Sequence, residues 1–299
     1  MTIGVTLPAG DTDSSPNLVD ELIDQTRQAA AAGLKSVWFS QLPLSQDAVT
    51  VAALAGREVP GIEVGTSVVP TYPRHPLLVA SAAQTAQAAT GGRFTLGIGL
   101  GSKGFLGPVY GVDYPPPIRH LREYLTILRS AFAGETVDFE GETVTAKAPG
   151  PSTVGGDVPI IVAAMGPQAL KVTAELADGT LPFLAGPRAL SELIVPVMAG
   201  KRIIAAVPAV VTDEPDEVRK KAVEQMSFYG QIPSYRRILD AEGVGHAADL
   251  AIIGDEKTVL DGLQRYYDAG ATDVLVSQTG IRSSEERRRT WEVVSSFGS

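Results

Sequence analysis

Three stretches hold the residues best suited to chemistry. GIEVGTSVVPTYPRHP (61–76) begins as a strand, with Ile62, Val64 and Thr66 alternating with Glu63, Gly65 and Ser67. It then runs through Val68 and Val69 into prolines at 70, 73 and 76. A strand that ends in a small polar pair and a stiff proline-rich exit suits something that fits closely against it. GIGLGSKG (97–104) places four glycines around another strand end. Glycine permits close backbone approach to a ligand, although the same run also serves as a tight turn. AAMGPQAL (163–170) passes from a strand end through Gly166–Pro167 into a helix. Free N–H groups and the helix dipole there suit a phosphate, and the same residues equally suit an ordinary turn with proline at the first helical position.

Acid–base equipment is scarce. The chain has no cysteine, which excludes disulfides, thiolate metal sites and a cysteine nucleophile. His75, His120 and His246 are too scattered for a metal site, so no metal is expected. Paired carboxylates, a Ser/His/Asp set and a magnesium-binding acid cluster are all missing from the strand ends. A site so equipped takes its chemistry from a cofactor.

The elements that must position these stretches follow from the alternation of short apolar runs with longer helical patterns. Strands are expected at 2–8, 36–40, in the 61–69 stretch, and at 93–101, 158–166, 178–184, 202–212 and 272–278. Helices are expected at 17–32, 46–56, 76–90, 119–132 and from Pro167, with further helices up to about Gly270. Residues 135–148 alternate at period two around Glu140–Gly141 and read as a hairpin. Eight strands separated by helices imply parallel pairing and most economically close into a (β/α)8 TIM barrel. The first strand lacks the GxGxxG of a doubly wound sheet. Insertions are expected after strand four (a loop over 101–118), before strand five (the hairpin) and before strand eight (near 229–250). Residues 1–299 read as one domain. In such a barrel the active site lies at the C-terminal strand ends, which puts Leu7–Pro8, Ser40–Gln41, Thr66–Val69, Gly99–Lys103, Ala163–Gly166, Phe183, Thr212 and Ser277–Gly280 in view.

The chain has 299 residues, 44% apolar and 20% charged, a balance typical of globular proteins. A net charge of −9 without a basic stripe argues against nucleic acid. The run Arg287–Arg289 beside Glu285 and Glu286 reads as a solvated terminal helix with a Glu285–Arg289 pair. No apolar run reaches about 18 residues and no signal-peptide pattern opens the chain, so a cytoplasmic protein without a membrane partner is expected.

Taken together, GLKSVWFSQ, GTSVVPTYPRHPLLVASAAQTAQAATGGRFTLGIGLGS, REYLTILR and IIVAAMGPQALKVTAELADG resemble the luciferase-like monooxygenase superfamily, and most closely its actinobacterial branch that uses the deazaflavin coenzyme F420. The resemblance covers nearly the whole chain in order. It implies a non-prolyl cis peptide at Ser67–Val68, in a bulge that props the cofactor ring from behind with Thr66, Ser67 and Val68. It implies that Gly99, Gly101 and Ser102 line the cofactor channel, and that backbone groups of Ala164, Met165 and Gly166 hold its phosphate. Lys103 either meets the acidic tail of a deazaflavin or is solvated.

One departure concerns the strand-two end. Many relatives carry Asp-His after the serine, whereas here Ser40 is followed by Gln41 and Leu42. Gln41 can donate a hydrogen bond to the ring edge or to a substrate carbonyl but cannot act as an acid. No catalytic residue is therefore assigned. Water, Tyr229 or Tyr235 is left as the proton source, with packing as the alternative role for the tyrosines. Arg236 or Arg237 either orients an acidic substrate or faces solvent, and His75 is read as a structural hydrogen-bonder. The resulting expectation is an F420-dependent oxidoreductase that transfers a hydride between the deazaflavin and a small organic substrate, as a reductase of an activated C=C or C=N bond. The alternatives are an FMN-dependent monooxygenase and a non-catalytic flavin-binding protein. The Ala/Ser/Thr-rich helices at 46–56 and 76–90 suggest a homodimer.

Overall fold

The structure is a computed structural model that describes residues 1–8, 17–277, 281 and 283–297. In chain order the strands are β1 (Thr2–Leu7), β2 (Ser36–Phe39), β3 (Glu63–Thr66), β4 (Val69–Pro70), β5 (Phe94–Gly99), β6 (Asp138–Glu140), β7 (Thr145–Lys147), β8 (Ile160–Val162), β9 (Gly179–Thr180), β10 (Arg202–Val211), β11 (Ile252–Gly254) and β12 (Asp273–Ser277). The helices are α1 (Leu18–Ala31), α2 (Ala48–Glu58), α3 (Pro76–Ala89), α4 (Lys103–Tyr110), α5 (Pro117–Phe132), α6 (Pro167–Leu176), α7 (Pro187–Ala189), α8 (Pro215–Met226), α9 (Pro233–Glu242), α10 (Glu256–Asp268) and α11 (Ser284–Ser295). β1, β2, β3, β5, β8, β9, β10 and β12 pair in parallel, and the β9–β10 pairing closes the ring. The eight-stranded (β/α)8 barrel expected from the sequence is the observed fold.

The strands read as unbroken apolar runs because both faces are covered. One set of side chains meets the outer helices, where Val37, Phe39, Val64, Leu96 and Val207 join the main core. The other set fills the barrel, where Trp38, Ile161, Leu181, Ile204, Ala206 and Leu275 form a separate inner cluster. Below it, Arg202 donates to Glu63 at 2.6 and 3.0 Å and to Asp273 at 2.8 and 3.0 Å. Its guanidinium carbon lies 5.7 Å from the Trp38 ring centroid. The interior is thus ionic at the N-terminal end, apolar in the middle and open at the C-terminal end.

Two expectations are corrected here. The Gly/Pro-rich stretch after the fourth barrel strand contains α4 rather than loop alone. Its sequence KGFLGPVY has two glycines and an internal Pro108, which lower helix propensity. Burial of Leu106 and the left-handed Gly111 cap accompany the helix nonetheless. The basic run in α11 is not simply solvated. Arg287 is only 5% exposed, with its guanidinium 5.4 Å from the Trp291 ring centroid. Arg289 pairs with Glu256 at 2.6 Å and Asp213 at 2.9 Å instead of Glu285. α11 buries Thr290, Trp291 and Val294 on the barrel, and that face takes Arg287 with it.

The insertion before the eighth barrel strand builds a roof. Val218, Ala222 and Met226 of α8, Leu239 of α9, Ala247, Leu250 and Ile253 pack with Leu184 and Val210 into a third cluster. β11, which the sequence reading passed over as helical, extends β10 within this roof. The expected hairpin forms from β6 and β7, and Glu123 of α5 accepts the Glu142, Thr143 and Val144 N–H groups at its tip (3.0, 2.8 and 3.2 Å).

Candidate active site

A cavity of about 610 Å³ lies between the C-terminal strand ends and the roof. Ligand pockets span roughly 300–1,000 Å³. Inward-facing residues spaced two apart supply its base and walls: Thr6 and Pro8, Leu181 and Phe183, Leu275 and Ser277. Ser40, Gln41, Ser67 and Val68 close one side, and Tyr229 and Tyr235 hang from the roof.

The Ser67–Val68 peptide is cis, as the resemblance implies, and Leu7–Pro8 at the end of β1, two strands away in the barrel, is also cis. Thr66 is fully buried, and its hydroxyl donates to the Gly97 carbonyl (2.7 Å) and accepts from the Gly97 N–H (2.9 Å). The Ser67 N–H donates to the Phe39 carbonyl at 2.9 Å. β5 supplies the room for this bulge. A Cβ on Gly97 would collide with the Thr66 carbonyl, and one on Gly99 would sit 2.7 Å from Val68 Cγ2. These two glycines therefore receive protein atoms of the bulge. Among the described residues, the buried Ser67 hydroxyl has no hydrogen-bond partner, and neither has that of Ser277 on the cavity wall.

Gln41 faces the cavity, but its amide is engaged locally. Its oxygen accepts from the Ala48 N–H (2.9 Å) and Arg74 Nη2 (3.1 Å), and its nitrogen donates to the Leu42 and Gln46 carbonyls (3.2 and 3.3 Å). Arg74 also pairs with Asp47, which caps α2 through the Thr50 N–H at 2.9 Å. Burial pushes the Asp47 carboxyl up, but bonds from Thr50 and Arg74 outweigh it and hold the group below its ordinary range. In this structure the Gln41 amide thus braces the strand-two end against α2. Ser40 anchors the same turn, its N–H donating to the Leu7 carbonyl and its carbonyl accepting from Gln46 (both 3.1 Å).

Gly101, Ser102, Lys103, Ala164, Met165 and Gly166 stand beside this cavity rather than on its wall. Gly101, Ser102 and Lys103 lead into α4, and Lys103 is exposed. The Gly101 carbonyl accepts from the Tyr114 hydroxyl at 3.1 Å. Ala163 reaches the wall, while Ala164, Met165 and Gly166 run from β8 to the start of α6. α6 has no side-chain cap, and the space where a Gly166 Cβ would point is open. Its first-turn N–H groups are therefore available to an anion.

Tyr229 and Tyr235 pack edge-to-face with each other (centroids 4.9 Å) and with Phe183 (5.3 and 6.3 Å). Burial pushes both phenols up, and the neighbouring Tyr229 adds to the effect on Tyr235. Both therefore stay protonated at neutral pH. Arg236 is held by Asp240 (2.8 Å) and by the Gly245 and Val244 carbonyls (2.9 and 3.0 Å), away from the wall. His75 is structural as expected: Nδ1 accepts the Leu77 N–H at 3.3 Å, and Nε2 bonds the Thr145 carbonyl at 2.8 Å. Gln278–Gly280 lie outside the described residues.

The sequence reading missed Thr6, Leu181, Ala206, Gln225, Leu275 and Ile281 on the wall. Strand alternation back from Pro8, Phe183 and Ser277 would have found Thr6, Leu181 and Leu275. Nothing local marks Gln225, which reaches the cavity only because α8 folds over it.

The profile of the luciferase-like monooxygenase family matches residues 1–273. A protein of Mycobacterium tuberculosis, provisionally named a coenzyme F420-dependent oxidoreductase, is 33% identical over 174 residues. The match covers 54% of this chain and 50% of that relative, so the chain spans half the relative's length. An F420-dependent secondary alcohol dehydrogenase solved with an F420–acetone adduct shares the fold (TM-score 0.79, 19% identity, 99% of this chain and 97% of that one). So does the FMN-bound oxygenating constituent of 3,6-diketocamphane monooxygenase from Pseudomonas putida (TM-score 0.75, 18% identity, 99% and 97%).

Proposed function

The chain belongs to the luciferase-like monooxygenase family, and from that premise we propose that it is a coenzyme F420-dependent oxidoreductase that reduces an activated C=C or C=N bond of a small organic substrate. One observation carries the reading: Ser67 and Val68 form one side of the cavity, and among the described residues the buried Ser67 hydroxyl has no hydrogen-bond partner. A buried hydroxyl without a bond is costly, and a polar ring edge satisfies it. The Ser277 hydroxyl offers the same service from another part of the wall. Val68 and Ser67 would back the ring, and the uncapped N-terminus of α6 after Gly166 would hold the phosphate. When bound, the coenzyme supplies a hydride from its ring. The chain's own residues bind, orient and exclude water: Leu181, Phe183 and Leu275 line the apolar base, and the roof covers it. Tyr229 and Tyr235 hold protons within the cavity walls. A relative named for F420 supports this coenzyme, while an FMN-bound structural neighbour keeps FMN as the rival.

Fluorescence titration with deazaflavin and, separately, FMN tests the reading. Preferential deazaflavin binding, followed by substrate-dependent oxidation of the reduced coenzyme, is the expected result. Preference for FMN with oxygen consumption would move the protein to the monooxygenases. Binding without turnover over a broad panel would leave a flavin-binding protein. The same reading treats residues 1–299 as one domain and the protein as a homodimer.

A further inference from the structure

We propose that the cavity selects an uncharged, planar, conjugated carbonyl compound that packs against Phe183, Tyr229 and Tyr235 and accepts a hydrogen bond at its carbonyl oxygen from the Tyr229 and Tyr235 hydroxyls. This substrate class rests on the oxidoreductase reading above. Three observations converge on it.

The first is the aromatic wall. Phe183, Tyr229 and Tyr235 meet edge-to-face at interplanar angles of 62–83°, and Phe228 continues the group toward solvent, 5.0 Å from Tyr229. Rings held by mutual edge contacts are pre-ordered, and they favour a flat π-system as their next neighbour. Leu181, Ala206 and Leu275 add apolar side chains to the same cavity, and Phe183 packs against their cluster.

The second is the state of the two hydroxyls. Neither the Tyr229 nor the Tyr235 hydroxyl has a protein hydrogen-bond partner among the described residues, while Tyr72, Tyr114, Tyr124 and Tyr267 each bond a backbone carbonyl (2.6–3.1 Å). Both residues line the cavity. Burial keeps them protonated, so each is a donor awaiting an acceptor. A carbonyl conjugated to the reducible bond supplies that acceptor, and a hydrogen bond to it draws electron density from the bond.

The third is charge. Among the described residues, none that lines the cavity is charged. The nearby Arg236 guanidinium is committed to Asp240 and two carbonyls. A carboxylate or phosphate on the substrate would lose its hydration with no counter-charge to replace it.

The test uses ligand-observed NMR titration of the full chain without added coenzyme. The probes are benzalacetone, its para-carboxylate, the methyl ester of that carboxylate, and 1-phenylbut-1-ene, which lacks the carbonyl oxygen. The ketone is expected to bind about 10-fold more tightly than the carboxylate and within about 3-fold of the ester, which separates charge from size. Tyr229→Phe with Tyr235→Phe should weaken the ketone by about 3–10-fold, to the level of the hydrocarbon, and leave the hydrocarbon unchanged. Phe183→Ala should weaken both, and Phe183→Leu replaces it if that variant does not fold. Equal or tighter carboxylate binding, no binding of any probe, or a ketone indifferent to both tyrosine changes overturns the proposal. The same samples are titrated with deazaflavin. Coenzyme binding with a failed probe pattern sinks this inference alone, whereas the probe pattern without coenzyme binding sinks the cofactor reading alone.

Discussion

Gly97 and Gly99 are where one methyl group probes how the site is built. Gly97→Ala drives a Cβ into the Thr66 carbonyl, a backbone atom locked between strands, whereas the close contact of Gly99→Ala is with a side chain, Val68 Cγ2 at 2.7 Å. Both should destabilise, by about 1–3 kcal/mol at Gly99 and more at Gly97. Val68→Ala should rescue Gly99→Ala but not Gly97→Ala, as read from urea midpoints; equal rescue of both would contradict the assignment of their neighbours. His120 gives a second test. It is buried against Tyr72 (centroids 4.2 Å) and Tyr124, and neither ring nitrogen has a hydrogen-bond partner among the described residues. Burial pushes its pKa below the ordinary 6.5, against the opposing pull of the Glu123 charge. As pH falls below 6.5 the unfolded chain takes up a proton that the folded chain refuses, so stability falls with pH in that window. His120→Phe should keep the stacking, remove this slope and raise stability by about 1 kcal/mol at pH 5.5. An unchanged slope between pH 7.5 and 5.5 would show that another group titrates. At this scale the sequence identified the right residue types but not their partners. Gln41 was legible as a strand-end amide, yet only the fold shows Ala48 and Arg74 occupying its oxygen.

The ends of the barrel strands divide the labour between stability and chemistry. At the N-terminal end, Arg202 of β10 ties Glu63 of β3 to Asp273 of β12 across the interior. Arg202→Met leaves two carboxylates without their shared cation. Breaking a fully buried pair costs about 3–5 kcal/mol. With 26% of the Arg202 side chain exposed, a loss nearer about 2–3 kcal/mol is expected in equilibrium unfolding, with deazaflavin affinity unchanged. A loss of coenzyme binding at full stability would mean that the floor communicates with the site. Element types followed well from the alternation of apolar runs and helical patterns, but α4 and β11 did not. α4 contains residues that disfavour helix and is accompanied by the burial of Leu106. β11 is only three residues long and is a strand because β10 extends beyond the barrel to pair with it.

For the whole molecule, the outer faces of α2 and α3 expose Leu54 (42%) and Leu78 (70%) beside their mutual contact. We propose this side as the homodimer face. Light scattering at micromolar concentration should give a dimer mass, and Leu54→Glu with Leu78→Glu should give a monomer. A wild-type monomer, or a dimer indifferent to both changes, would remove the proposal. The sequence by itself determined the barrel, because apolar runs with helical connectors have few ways to cover both faces of a parallel sheet. It also located the strand ends, since periodicity and glycine or proline punctuation are local. Which residues share a wall was decided only by the tertiary structure. Gln225, Tyr229 and Tyr235 meet Phe183 and Ser277 because a roof with its own core folds over the barrel mouth. That juxtaposition depends on contacts between distant segments, which no local spacing encodes.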